Sequence, residues 1–147
     1  MLQFGHEWSY SMTRNVIAVV VGMIAGMAVN MAIVVMNLAL YPMPEGVDFN
    51  DKDGLAEYIG SLPVLALLIV IVAHLGQAFV GGWVAARISA NRMMMVAMIV
   101  GALSLVGGLV NMNDIPLPSW MLIELPLYLV AAWAAAKFEQ KRRGLST

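Results

Sequence analysis

Residues 15–40 read NVIAVVVGMIAGMAVNMAIVVMNLAL, an apolar run that from Val16 to Leu40 is interrupted only by Asn30 and Asn37. At 1.5 Å rise per residue, about 20 such residues cross the ~30 Å hydrocarbon core of a bilayer as a helix. A signal peptide has an apolar centre of roughly 7–15 residues closed by a small-residue cleavage site, so this run reads as a retained membrane helix. Three further stretches, about 63–86, 93–112 and 117–136, reach the same length, the third with least to spare. Backbone groups facing lipid must bond within their own segment, and no alternating apolar/polar pattern suggests a barrel, so all four are predicted as helices.

Composition agrees. The 147 residues are 61% hydrophobic and 12% charged, where roughly a quarter of a soluble domain is charged. The absence of cysteine excludes a disulfide framework and thiolate metal ligation.

The loops sort their charges. Arg14, Arg87, Arg92, Lys137, Lys141, Arg142 and Arg143 fall on one side of the implied membrane, and only Lys52 on the other, with Glu45, Asp48, Asp51, Asp53, Glu57 and Asp114. By the positive-inside rule both termini are inside. The expected organisation is an inner interfacial lead over 1–13, a membrane domain over 14–138 and an inner basic tail over 139–147. Phe4, Trp8 and Tyr10 of the lead suit the interface. The basic tail suits anionic lipid headgroups. An acidic outer loop over 41–62 opens on Pro42 and Pro44, and Asp51 or Asp53 caps a short helix near 54–61. Leu55, Tyr58 and Ile59 of that helix are expected to face the membrane surface, and Glu57 water. Short turns at 89–92 and 113–118 make consecutive spans antiparallel neighbours.

The fold class expected is an all-α, antiparallel four-transmembrane-helix bundle. Its halves look alike. Gly26-Met-Ala-Val-Asn30-Met31 parallels Gly107-Gly-Leu-Val-Asn111-Met112, and Ala85-Ala-Arg87 parallels Ala135-Ala-Lys137. Two repeated helical hairpins would superpose with Asn30 on Asn111.

Small residues recur at helix-contact spacing: Gly22 and Gly26 four apart, Gly82 between Ala78 and Ala86 with Gly81 beside it, and Gly101, Ser104 and Gly108 on one stripe. Such spacing lets helix backbones approach closely, within one bundle or across a homodimer seam.

Two ionisable residues lie inside the spans. Counted from the outer ends, His74 is ~16 Å deep and Glu124 ~10 Å deep. Asn30 falls near the level of His74, Gln77 one turn below it, and Asn111 nearer the outer surface. Such groups face the bundle interior, where they either exchange a proton or bind a cation, or simply tie helices together. Pro126, two residues after Glu124, is expected to kink the fourth helix.

Other patterns lead nowhere. Asp51-Lys-Asp53-Gly54 matches the middle of an EF-hand loop, but its first and last ligand positions would be Phe49 and Gly60. Met23, Met27 and Met31 are spaced as in copper-uptake channels, without a recruiting segment outside, and read as adaptable apolar filler. No serine shares a level with His74 and an acid to make a triad. No metal, cofactor or nucleic-acid site is expected.

Pro44-Glu-Gly-Val-Asp48, together with Ala73-His74-Leu-Gly76, Val80-Gly81 and Val84-Ala-Ala-Arg87, resembles a family of small bacterial four-helix integral membrane proteins of unknown function. The likeness covers most of residues 14–137. It implies the four-span fold and a bacterial inner membrane, and carries no activity. Small multidrug transporters also have four spans, but their essential acid lies in the first helix, where this chain has Asn30 and Asn37.

The function expected is therefore that of a non-enzymatic membrane protein, in contact with lipids and acting as a homo-oligomer or with a partner membrane subunit. A small proton- or cation-coupled transporter using His74 and Glu124 is the alternative.

Overall fold

The computed structural model describes the backbone of residues 2–145 and the side chains of residues 11–145. Phe4, Trp8 and Tyr10 lie outside the described side chains. The helices are α1 (Leu2–Leu40), α2 (Lys52–Ser61), α3 (Val64–Ile88), α4 (Met93–Asp114) and α5 (Glu124–Arg142), with a 3-10 turn at Ser119–Ile123 before α5. Four segments, Ser11–Leu40, Val64–Ile88, Met93–Asp114 and Ser119–Arg142, are long and apolar enough to cross a membrane. The chain is an all-helical, multi-pass membrane protein built as a four-helix bundle. The start of α1 and the end of α5 lie at one end of the bundle, here the terminal end; α2 lies at the other, the loop end.

Two boundaries differ from expectation, each for a local reason. The lead is not a separate element, because α1 begins at Leu2 and runs unbroken into the first span. The fourth span starts later and ends further on than 117–136. Pro126 has no N–H to offer the carbonyl of Leu122, so regular α-helix begins only at Glu124, with the proline in its first turn where no donor is needed. Pro126 therefore sets where α5 starts and does not kink its middle.

The loop end is built by local capping. Gly46 takes φ +86°, the left-handed conformation that a tight turn requires and glycine adopts without strain. Asp48 accepts from the Asn50 and Asp51 amides at 2.7 and 3.2 Å, and Asp51 caps α2 by accepting from Gly54 at 3.1 Å. Leu55, Tyr58 and Ile59 do not lie on the membrane surface. They are buried against Leu67 of α3 and Met121 of the 3-10 turn, because a short helix gains more by covering the apolar tops of two spans. The buried Tyr58 hydroxyl, pushed above its usual pKa by that burial, donates to the Tyr41 carbonyl at 2.5 Å.

Within the membrane, α3 is central and touches α1, α4 and α5, whereas α1 makes no comparable contact with α5 and little with α4. All six glycines singled out by spacing face other helices of the same chain. A Cβ on Gly22 would lie 2.5 Å from the Gly81 carbonyl, and one on Gly26 would collide with the Gln77 carbonyl. Gly82 sits 3.3 Å (measured likewise) from the Ala132 backbone, Gly101 2.5 Å from the Ala132 methyl, and Gly108 2.9 Å from the Tyr128 hydroxyl. These contacts bring backbones together where lipid supplies no hydrophobic drive for helix association. The opposite side of α1 is an apolar stripe, Val16, Val20, Ile24, Met27, Met31 and Val35, all exposed.

Equivalent positions of the two hairpins do not all find equivalent surroundings. Residues fifty apart meet across α3 and α5: His74 with Glu124, Gly82 with Ala132, and Ala86 with Ala136. The other two helices pack differently. Gly26 is pressed on α3, while its counterpart Gly107 has open space around it.

Gly26→Leu should destabilise the bundle by about 1–3 kcal/mol through overpacking, read by reversible unfolding in mixed detergent. Gly107→Ala should be neutral or gain up to ~1 kcal/mol in helix propensity. Equal losses at the two sites would contradict this packing.

Candidate functional site

The most distinctive polar site joins α3 and α5 in the loop-end half of the bundle. His74 Nδ1 lies 3.0 Å from Glu124 Oε1, with side chains 12% and 1% exposed. Counting along straight helices separates the two by ~6 Å in depth. The 3-10 turn rises ~2.0 Å per residue instead of ~1.5 Å, which carries the start of α5 deeper and removes part of that difference. Tyr128, one turn after Glu124, stacks on the imidazole with ring centroids 6.2 Å apart and planes 24° apart. Its hydroxyl lies against Gly108, so the absent side chain on α4 makes room for the ring that covers the pair.

Two acceptor-capable atoms at 3.0 Å require a hydrogen between them. That hydrogen is either on the imidazole Nδ1, which then donates to the carboxylate, or on the carboxyl group, which then donates to Nδ1. Glu124 Oε2 is buried and makes no hydrogen bond of good geometry, although the Tyr128 hydroxyl lies within reach of the carboxylate. Chemically, the site can hold or release a proton and can tie two helices. Among the described residues no third His, Asp or Glu joins it as a metal ligand set.

The remaining predicted site residues are dispersed. Gln77 donates to Ser104 of α4 at 3.4 Å, a long bond. Asn30 is half-buried with its Oδ1 unpartnered. Asn111 makes no side-chain hydrogen bond to the described residues and sits nearer the end of α4. The five do not form one layer. The structure assembles His74 with Glu124 and, separately, Gln77 with Ser104.

Sequence reading missed a second cluster at the terminal end. Glu139 is fully buried and accepts from Arg142 Nε and Nη2 at 2.7 Å each, from Arg143 Nε at 2.8 Å and from Trp83 Nε1 at 3.1 Å. Arg143 also donates to the Ala86 and Arg87 carbonyls at 3.2 and 2.6 Å, satisfying the last turn of α3. An acid three and four residues before two arginines was the available signal. Two members of the basic tail are thus committed to the fold, and Lys141 stays exposed. Nearby, Asn15 of α1 accepts from the Ser89 hydroxyl at 2.8 Å and the Ala90 amide at 3.3 Å, binding α1 to the turn between α3 and α4.

Removing one partner of a buried pair strands the other, at about 3–5 kcal/mol. His74→Leu and Glu124→Leu should each lose on that scale in unfolding experiments, while the double variant should lose less than the sum. Strict additivity of the two losses would mean that the pair is not coupled. Comparisons with protein-family models, curated proteins and solved structures find no match to this chain.

Proposed function

We propose that this chain is a non-enzymatic membrane protein that works by assembly, as a homo-oligomer or as a small subunit of a larger complex. Its membrane is the bacterial inner membrane, with both termini cytoplasmic. One observation carries the assembly reading: three polar pairs inside the bundle tie its helices together, while α1 presents a full-length apolar face to the outside. Only 17% of its most apolar window is buried, against 33% for the last span. His74–Glu124, Gln77–Ser104 and Trp83–Glu139 each link two helices, which is what a rigid building block needs. The concentration of seven of eight Lys/Arg residues at the terminal end supports the orientation.

A second reading, proton- or cation-coupled transport, is favoured by the unpartnered Glu124 Oε2. Ionisable groups inside spans commonly mark ion pathways.

The two separate experimentally. Photobleaching counts on the fluorescently tagged full chain in bilayers should give a fixed number of copies above one. Ile24→Trp, on the exposed face of α1, should lower that number without changing the unfolding midpoint. Liposomes loaded with a pH dye should acidify equally with the parent chain and with Glu124→Gln. Single copies without a partner, together with proton entry abolished by Glu124→Gln, would replace assembly with transport.

A further inference from the structure

At the terminal end α1 and α4 stand apart, and the space between them is a groove of about 830 Å³. Its walls are apolar, with Val16 and Val20 on α1 and Met95 and Ile99 on α4, and its mouth carries Asn15, Asn91 and Arg92. From Arg92 to Ile99 is ~10 Å at 1.5 Å per residue, about two-thirds of one leaflet's half of a ~30 Å hydrocarbon core. The groove therefore runs from the headgroup level into the chains of the leaflet beside the termini.

The chemistry of the mouth is that of a donor. Asn15 Oδ1 is taken by Ser89 and Ala90, so its amide nitrogen donates to Asn91 Oδ1 at 3.3 Å. That bond leaves the Asn91 amide hydrogens available. The Ser89 hydroxyl accepts from the Arg92 amide at 3.0 Å, but no side chain caps the first turn of α4, so the amides after Arg92 and the positive end of the helix dipole face outward. Among the described residues the Arg92 guanidinium pairs with no carboxylate, and its contact is to Met95 Sδ at 3.7 Å. An arginine, an uncapped helix start and an amide converge on one end of an apolar channel.

We propose that this groove holds one anionic glycerophospholipid, its phosphate on Arg92 and the α4 amides and an acyl chain between α1 and α4. Charge complementarity selects this occupant over a second copy of the chain. A parallel copy seated there would bring its own Arg14, Arg87 and Arg92 to the same level and repel. A bound lipid would fill the space that α1 and α4 leave between them at this end. The groove takes only Val16 and Val20 from the exposed stripe of α1, which leaves Ile24, Met27, Met31 and Val35 for assembly.

The test uses the full chain, delipidated in non-ionic detergent and titrated under native mass spectrometry with phosphatidylglycerol, phosphatidylcholine or inorganic phosphate. One phosphatidylglycerol should bind about tenfold more tightly than phosphatidylcholine, the worth of one charge-assisted contact, and inorganic phosphate alone should not bind. Arg92→Gln should reduce phosphatidylglycerol to the phosphatidylcholine level, and Arg92→Lys should recover part of the difference. Val16→Trp, at a wall position 62% exposed, should weaken both lipids at unchanged melting temperature, which decides the matter even if the Arg92 variants fold poorly. Lys141→Gln, outside the groove, should change nothing. Equal binding of the two lipids with or without Arg92 would overturn the proposal. So would inorganic phosphate matching the lipid, or Met95→Cys cross-linking two copies through the groove.

Discussion

Hydrocarbon offers apolar helices no reason to leave it, so a bundle dissolved in lipid is held by whatever contacts its helices can make better with one another. The backbone seam between α1 and α3 is the contact on which this architecture turns. With Gly22 and Gly26 pressed on the carbonyls of Gly81 and Gln77, α1 lies flush along one side of α3. That alignment takes α1 away from α5, turns its Val20 and Ile24 face outward and opens the space beside α4. A larger side chain at either glycine would push the helices apart by more than dispersion forces span.

Polar ties then set register at three levels. Helices packed through small residues can slide, and a directional bond stops them. Tyr58 on the Tyr41 carbonyl holds the loop end, His74 on Glu124 the middle, and Asn15 on Ser89 with Trp83 on Glu139 the terminal end. Each tie also answers the demand that polar atoms in a low-dielectric interior find partners. Glu124 Oε2 and Asn30 Oδ1 do not find one. Asn37 Oδ1 and Gln140 Oε1 share that condition, but Glu124 Oε2 sits on the only buried histidine–carboxylate pair among the described residues.

Much of this was legible in the chain, and the exceptions have physical causes. The four spans were readable because length and hydropathy are local properties. The packing glycines were readable because contact between helices requires small side chains at four-residue spacing. His74 and Glu124 stood out as costly residues in a span, but straight helices place them at different depths, and a 3-10 turn forced by Pro126 brings one towards the other. The surroundings of α2 were not legible, because amphipathicity says only that Leu55, Tyr58 and Ile59 are buried, not against what. Two arginines of the basic tail look like a topology signal and also bind Glu139, a use that depends on α5 continuing past the expected end of its span.

Local chemistry along the chain therefore determined the solvent, the number of crossings, the sorting of charge and the small-residue faces, because each follows from side chains acting within a few turns. Which helix sits at the centre, which buried polar groups meet, and where α1 and α4 part to leave a donor-lined groove were decided by three-dimensional packing. Those outcomes depend on distances between residues twenty-seven to seventy-six positions apart, and close backbone contact at a few glycines bears on all of them together.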